Sequence, residues 1–186
     1  MRLFVAIDLD DIARQAIAQT QQRMAELLET DRSLKWVSPA HMHLTLAFLG
    51  EMADPAVPAI VKALSVDIDA RPFSAVFQGL GVFPPRGAPR VLWLGVGDGA
   101  SEVIGTQRVV TDRLADVGVA LERRPFHPHL TLARWHGSRP GAAQRALSAG
   151  PHRPIARVDV GHITLYHSRL TPTGPVYTAL TRATLT

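Results

Sequence analysis

The tetrapeptide His43-Leu44-Thr45-Leu46 recurs as His129-Leu130-Thr131-Leu132. The copies stand 86 residues apart (43 to 129), close to half of a 186-residue chain. Their flanks match as well: each has a further histidine two positions upstream (His41, His127) and a proline nearby (Pro39, Pro128). A repeat with matching surroundings at half-chain spacing points to two related lobes facing each other across a pseudo-twofold axis. The length suits one domain built that way, spanning 1–186.

Each copy lies in the alternating pattern of a half-buried strand, in which residues i and i+2 share a face. His43 and Thr45 therefore point one way while Leu44 and Leu46 enter a core, and His129 and Thr131 do the same beside Leu130 and Leu132. With both strands central in their lobes, two imidazoles and two hydroxyls converge on one cleft. Imidazoles suit acid–base work because a free histidine titrates near about 6.5. Hydroxyls suit hydrogen bonding to the non-bridging oxygens of a phosphate. In-line attack at phosphorus needs a base on one side and an acid on the other, and this pair supplies both without a metal. The expected pH–rate profile is a bell whose limbs bracket neutrality. His41 and His127 alternate onto the same face, as strand-edge residues or as partners of the motif histidines. A third copy, His162-Ile163-Thr164-Leu165, lacks the upstream histidine and reads as a coincidence of one sheet face, its role left open.

Other chemistries fit less well. The chain has no cysteine, which excludes disulfide frameworks, Cys-ligated zinc, iron–sulfur clusters and thiol nucleophiles. Neither His-x-Thr strand carries an Asp or Glu at ligand spacing, which weakens a metal centre. No Gly-x-Ser-x-Gly elbow, Walker A loop or dinucleotide fingerprint occurs; Gly95-Val96-Gly97-Asp98-Gly99 lacks the right third glycine. No metal and no cofactor are expected. Of the twenty Lys and Arg, only Lys35 and Lys62 are lysines. Guanidinium groups match phosphate oxygens, although a composition rich in Ala, Arg, Gly and Pro also accounts for them. The net charge of +4 is a mild field. The apolar opening Arg2–Ile7 is cut short at Asp8, too early for a secretory core, and no apolar run reaches the roughly 18 residues of a membrane span. A cytoplasmic protein with no membrane contact and no obligate protein partner is expected.

Strand patterns are read at Arg2–Leu9, Met42–Leu49, Phe73–Leu80, Arg90–Val96, His129–Trp135, Ile155–Leu170 and Tyr177–Leu185. Helical patterns run from Asp10 to about Glu29, from Asp54 through Leu64, from Gly99 to Val117 and from Gly141 to Ala149. The first helix shows a stripe of Ile12, Ala16, Ile17, Met24, Leu27 and Leu28. Turns are read at Trp36–Pro39 and Thr171–Pro175, and a Pro- and Gly-rich loop over Gly81–Pro89, the kind of segment that flanks sites. The sum is an α+β fold of two pseudo-symmetric lobes, each an antiparallel sheet with outer helices, around a central cleft.

The sequence resembles a known family, the 2H phosphoesterases, whose signature is two His-x-Thr-hydrophobic motifs at this separation. Arg2-Leu3-Phe4-Val5-Ala6-Ile7, Trp36-Val37, Pro89-Arg90-Val91-Leu92-Trp93, the run from Pro125 to Arg134, and Ser168-Arg169-Leu170 with Gly174 and Tyr177 are similar to its RNA 2′,3′-cyclic phosphodiesterase branch, also called 2′–5′ RNA ligase. The third His-x-Thr and the loop near Arg86 depart from the pattern. The resemblance implies metal-free hydrolysis of a ribose 2′,3′-cyclic phosphate to a 2′-phosphomonoester. It implies His43 as the acid that protonates the departing O3′, and His129 as the residue that assists the attacking water or holds the phosphate. Thr45, Thr131 and Arg134 would bind the phosphate. Arg134 lies at an odd offset from His129, so the strand must end or bulge to bring it to the site. Phe83 matches an aromatic that stacks on the base; a core anchor beneath the loop is its alternative. Substrates would be RNA ends, tRNA fragments among them, or cyclic nucleotides. Two other readings stand beside hydrolysis: 2′–5′ ligation by the reverse reaction, and a non-catalytic RNA- or nucleotide-binding module.

Overall fold

The structure, a computed structural model, describes residues 1–121, 125–172 and 174–186. Among the described residues the chain runs β1 (Arg2–Asp8), α1 (Asp11–Leu27), β2 (Leu34–Trp36), β3 (His43–Glu51), α2 (Val57–Ala63), β4 (Phe73–Phe83), β5 (Val91–Val96), α3 (Ala100–Asp116), β6 (His129–Trp135), α4 (Ala142–Ser148), β7 (Ala156–Val160), β8 (His162–Thr171) and β9 (Gly174–Thr184). The strands form one sheet in the order β7-β4-β5-β6-β3-β1-β8-β9, with β2 added beside β6. All pairings between these strands are antiparallel. No helix among the described residues is long and apolar enough to cross a membrane.

The strand order reads symmetrically about its middle. The unit β5-α3-β6 on one side matches β1-α1-β3 on the other, and the two join where Leu44 pairs with Leu130. Each half also lends a strand to its neighbour: β4 pairs with β5, and β8 pairs with β1. The antiparallel α+β architecture expected from the sequence is present, with the two half-sheets fused edge to edge.

Alternation along the central strands sorts the chemistry from the core. Leu44, Leu46, Leu130 and Leu132 are buried, together with Leu3, Val5 and Ile7 of β1 and Leu92 and Leu94 of β5. They pack on Ala13, Ile17 and Met24 of α1 and on Val103, Val110 and Leu114 of α3. Burying each of the leucine, isoleucine, valine and methionine side chains among them is worth about 1.5–3 kcal/mol. A one-residue slip of either motif strand would move its leucines to the polar face, so burial fixes the register. The helices cross over: α1 packs under β7 and α3 under β3, each beneath the other half's strands.

Helix α1 starts at Asp10, whose carboxylate accepts the Ala13 amide at 2.7 Å, the N-cap arrangement of a helix start. Its buried face is Ala13, Ile17, Thr20, Gln21 and Met24, while Ile12 and Leu27 are exposed. The expected stripe is therefore rotated, because the sheet receives a face that includes two polar residues. Three further boundaries differ from expectation. The single strand Ile155–Leu170 is two, β7 and β8, broken at Gly161 and sent to opposite halves of the sheet. The Gly81–Pro89 loop is shorter, since β4 pairs with β5 through Phe83. Leu34–Trp36 is a short strand on β6, so Trp36 is paired with Ala133 and does not sit in a turn. The turn expected over Thr171–Pro175 contains Thr173, which lies outside the described residues; Thr171 belongs to β8, and Gly174 and Pro175 already belong to β9, paired with Thr171 and Leu170, so that strand begins before the expected Tyr177.

Candidate active site

Two identical sequences running antiparallel make a local twofold, and the Leu44–Leu130 pair sits on it. His43 then stands alongside Thr131, and Thr45 alongside His129. The two histidines occupy one diagonal, which in an antiparallel pair spans roughly 7–8 Å. All four side chains are half-buried, between fully buried leucines. They line a cavity of about 660 Å³ together with Arg134 and Tyr177. A second cavity of about 1170 Å³, lined by Phe83, Pro84 and Phe126, shares Thr45, Phe48 and His129 with the first.

The imidazoles are oriented alike. Nδ1 of His43 lies 2.8 Å from the His41 carbonyl, and Nδ1 of His129 lies 2.7 Å from the His127 carbonyl. A carbonyl only accepts, so Nδ1 carries the hydrogen in both rings and Nε2 is left for a substrate. The upstream histidines thus serve the motif through their backbone carbonyls. Their rings do something else: His41 sits edge-on to Tyr177 at 5.3 Å, and His127 edge-on to Trp93 at 4.7 Å.

Burial governs the titration of both groups. It pushes His43 down to about 4, only partly offset by the His41 carbonyl and the Asp8 carboxylate. It also lowers His129, against the His127 carbonyl and with the help of positive charge on His127 and Arg134. Burial therefore favours the neutral form of both rings at pH 7 and moves the expected activity window from bracketing neutrality to its acid side. An arriving phosphate anion acts in the opposite sense, favouring the imidazolium.

Arg134 reaches the cleft because β6 bulges. Trp93 pairs with Thr131 and Leu92 with Ala133, so Leu132 is the extra residue. Leu132 and Ala133 are both buried and Arg134 is exposed, so the odd offset becomes an even one. The bulge is held from below: the Leu132 carbonyl accepts the Val37 amide at 2.8 Å and Nε2 of Gln21 at 3.0 Å. Strand β3 bulges at the matching place, with Ala6 paired to Thr45 and Val5 to Ala47. There the residue turned to the cleft is Phe48, 53% exposed, with the Arg2 guanidinium 5.0 Å above its ring. The repeat therefore covers six structural positions and differs at the last, a phenyl ring against a guanidinium.

Phe83 ends β4 and packs edge-on to His129 at 5.0 Å and tilted against Trp93 at 5.2 Å. It is half-buried and lines the larger cavity, so it contacts the motif histidine and the open space at once. Sequence reasoning missed the groups around His43. Phe4 stacks on its ring at 4.7 Å, and Tyr177 meets it edge-on at 5.4 Å. Asp8 lies directly opposite His43 in the β1–β3 register. The third motif converges there: Thr164 and Tyr166 each donate a hydrogen bond of 2.7 Å to the Asp8 carboxylate, and His162 Nε2 lies 3.6 Å away. The signal was the His-x-Thr at His162 itself, but only the pairing of β1 with β8 gives it a partner. Among the described residues no three His, Asp or Glu side chains come together as a metal ligand set.

A family model described as LigT-like phosphoesterase matches residues 8–93 and again residues 94–177. An Archaeoglobus fulgidus protein named RNA 2′,3′-cyclic phosphodiesterase is 33% identical over 179 residues, covering 95% of this chain and 96% of its own. An Aeropyrum pernix protein of the same name is 36% identical over 156 residues, 83% and 88% of the two chains. Among solved structures, TT0787 of Thermus thermophilus superposes with a TM-score of 0.80 at 30% identity, covering 100% of this chain and 98% of that one. E. coli LigT complexed with 3′-AMP superposes with a TM-score of 0.73 at 27% identity, over 100% and 98%.

Proposed function

Because the chain belongs to the LigT-like phosphoesterase family and is a hydrolase of RNA 2′,3′-cyclic phosphates, we propose that His43 and His129 carry the reaction as an acid–base pair across the local twofold. The observation that supports this most is the pair of Nε2 atoms, both freed by an Nδ1 bond to a backbone carbonyl and set on one diagonal of the cleft. The cyclic phosphate sits between them. Thr45 and Thr131 donate hydrogen bonds to its non-bridging oxygens, and Arg134 adds a charge-assisted contact at the rim. Nε2 of neutral His129 takes a proton from water as the water oxygen bonds to phosphorus. The P–O3′ bond breaks, and protonated His43 gives its proton to O3′. The products are a free 3′-hydroxyl and a 2′-phosphomonoester, with the proton now on His129; exchange with solvent resets the pair.

Phe83 and the larger cavity give the nucleoside an aromatic surface next to the phosphate site, which suits stacking of a base. The substrate class is RNA ends, tRNA fragments included, and cyclic nucleotides; residues 1–186 work as one bilobal unit in the cytoplasm. The reverse reaction, 2′–5′ joining, uses the same two groups with roles exchanged, but water at high concentration favours hydrolysis. A module that only holds phosphates has no use for two identically oriented imidazoles.

The test is one assay in EDTA. Wild type and His43→Ala are incubated with 2′,3′-cyclic AMP, and 2′-AMP is resolved from 3′-AMP. Wild type should yield 2′-AMP, and the variant should be slower by about 10² to 10⁴, the worth of one acid–base group. Product as 3′-AMP, or an unimpaired variant, would sink the assignment; loss in EDTA with rescue by a divalent ion would replace it with a metal mechanism.

A further inference from the structure

The local twofold makes the two histidines equivalent in orientation and in hydrogen bonding, yet the reaction needs one donor and one acceptor. Something outside the motif must break the tie. The neighbouring strands do. In the β1–β3 pairing the residue opposite His43 is Asp8, and in the β5–β6 pairing the residue opposite His129 is Gly95. We propose that Asp8 is a positioning residue for this hydrolysis, a fixed negative charge that makes His43 the proton donor; the inference rests on the acid–base reading above.

The carboxylate is built in. Thr164 is fully buried and donates to one oxygen at 2.7 Å; the Tyr166 hydroxyl donates to the other at 2.7 Å. Tyr166 is itself held protonated, pushed up to about 12 by burial and then by Asp8. Both donors belong to the strand that carries the third His-x-Thr, which thereby gains a purpose: it supplies a clamp for a carboxylate where the first two supply catalytic imidazoles. His162 stands 3.6 Å from the same carboxylate, and the exposed Arg182 guanidinium 4.0 Å from it.

The charges facing each ring divide accordingly. Around His43 are Asp8 from β1, His41 from the preceding turn and Arg14 from α1, with the rings of Phe4 and Tyr177 against it. Asp8 is the anion of that set and favours the imidazolium. Around His129 the charges are His127 and Arg134, both favouring the neutral ring, with Phe83 and Trp93 completing the wall. Burial of His43 works against Asp8. Once a phosphate anion bridges the rings, its charge acts on both, and the difference between a carboxylate and a glycine remains.

The experiment is a histidine Cε1–H NMR titration of the full chain, with resonances assigned through His43→Asn and His129→Asn. It needs no turnover, so its outcome is separate from that of the hydrolysis assay. In Asp8→Asn the His43 midpoint should fall, cutting its imidazolium fraction at a fixed pH above the midpoint about three- to tenfold. The His129 midpoint should stay. The arm of the kcat/KM profile that belongs to the donor should move acid in step. Tyr166→Phe keeps the aromatic stack and the charge but removes one donor from the carboxylate, so there the His43 midpoint should rise. A His43 midpoint unmoved in Asp8→Asn, or a His129 midpoint that moves equally, overturns the proposal. If Asp8→Asn does not fold, Tyr166→Phe decides alone, and a midpoint that holds or falls overturns it.

Discussion

Acidification should cost this protein stability through His43, and asparagine at that position should remove the cost. The sign follows from burial. In the folded chain His43 titrates near 4, against 6.5 for an unperturbed histidine. The unfolded chain therefore binds the proton more readily. The neutral ring's full contribution is present above the unfolded value and is lost as pH falls from 6.5 towards about 4. The gap corresponds to about 3 kcal/mol at the acid limit, and to roughly 2 kcal/mol between pH 7 and pH 4.5. An asparagine side chain cannot take up a proton, and its amide donates to the His41 carbonyl as Nδ1–H does. The assay is urea unfolding of wild type and His43→Asn at the two pH values. Carboxylates that titrate over the same range act in both proteins and largely cancel in the double difference. Wild type should lose about 2 kcal/mol more than the variant. Parallel losses would refute the reasoning, because they would mean that the imidazole is as well solvated in the fold as in the unfolded chain.

Both histidines are lowered by burial, so the maximum of kcat/KM, which reports the free enzyme, should lie below about pH 6.5, and a maximum on the alkaline side would refute it. Under the proposed mechanism Arg134→Gln takes away a charge-assisted phosphate contact worth about 1.5–3 kcal/mol, so kcat/KM should fall roughly 10- to 150-fold with the melting temperature unchanged. A Cβ at Gly81 would overlap Cζ2 and Cη2 of Trp93. Gly81→Ala should thus cost about 1–3 kcal/mol of stability and displace an indole that packs against Phe83, His127 and His129, slowing turnover as well; differential scanning calorimetry and the 2′,3′-cyclic AMP assay check the two halves.

What the sequence disclosed and what it withheld divide along range. The alternation at His43–Leu46 and His129–Leu132 is local, and the buried leucines and half-buried histidines follow from it. The strand from His129 to Trp135 has the expected ends because its apolar run is bounded by Pro128 and Gly137. The bulge at Leu132 is not local. It depends on which β5 residue faces Thr131 and on Gln21, 111 positions away, for its carbonyl's partner. Hence Arg134 could be suspected from family resemblance but not placed by counting. The break at Gly161 is invisible in the sequence because β-rich sequence continues on both sides of it, and only the destinations of β7 and β8 differ. Asp8 reads as the end of an apolar run; its partners Thr164 and Tyr166 lie 156 and 158 positions along the chain.

The strand that completes the cleft comes late in the chain. Thr164 and Tyr166 meet Asp8, and Tyr177 meets His43, only when β8 and β9 have added to β1. Contacts of such long sequence separation close slowly. The wall of His129, by contrast, is made of Phe83, Trp93 and His127, which all precede it in the chain. Until β8 and β9 have added, the β1 edge of the sheet is unpaired, Asp8 lacks its two donors and His43 lacks the Tyr177 ring, so the side of the cleft proposed to give the proton is completed after the side proposed to take it.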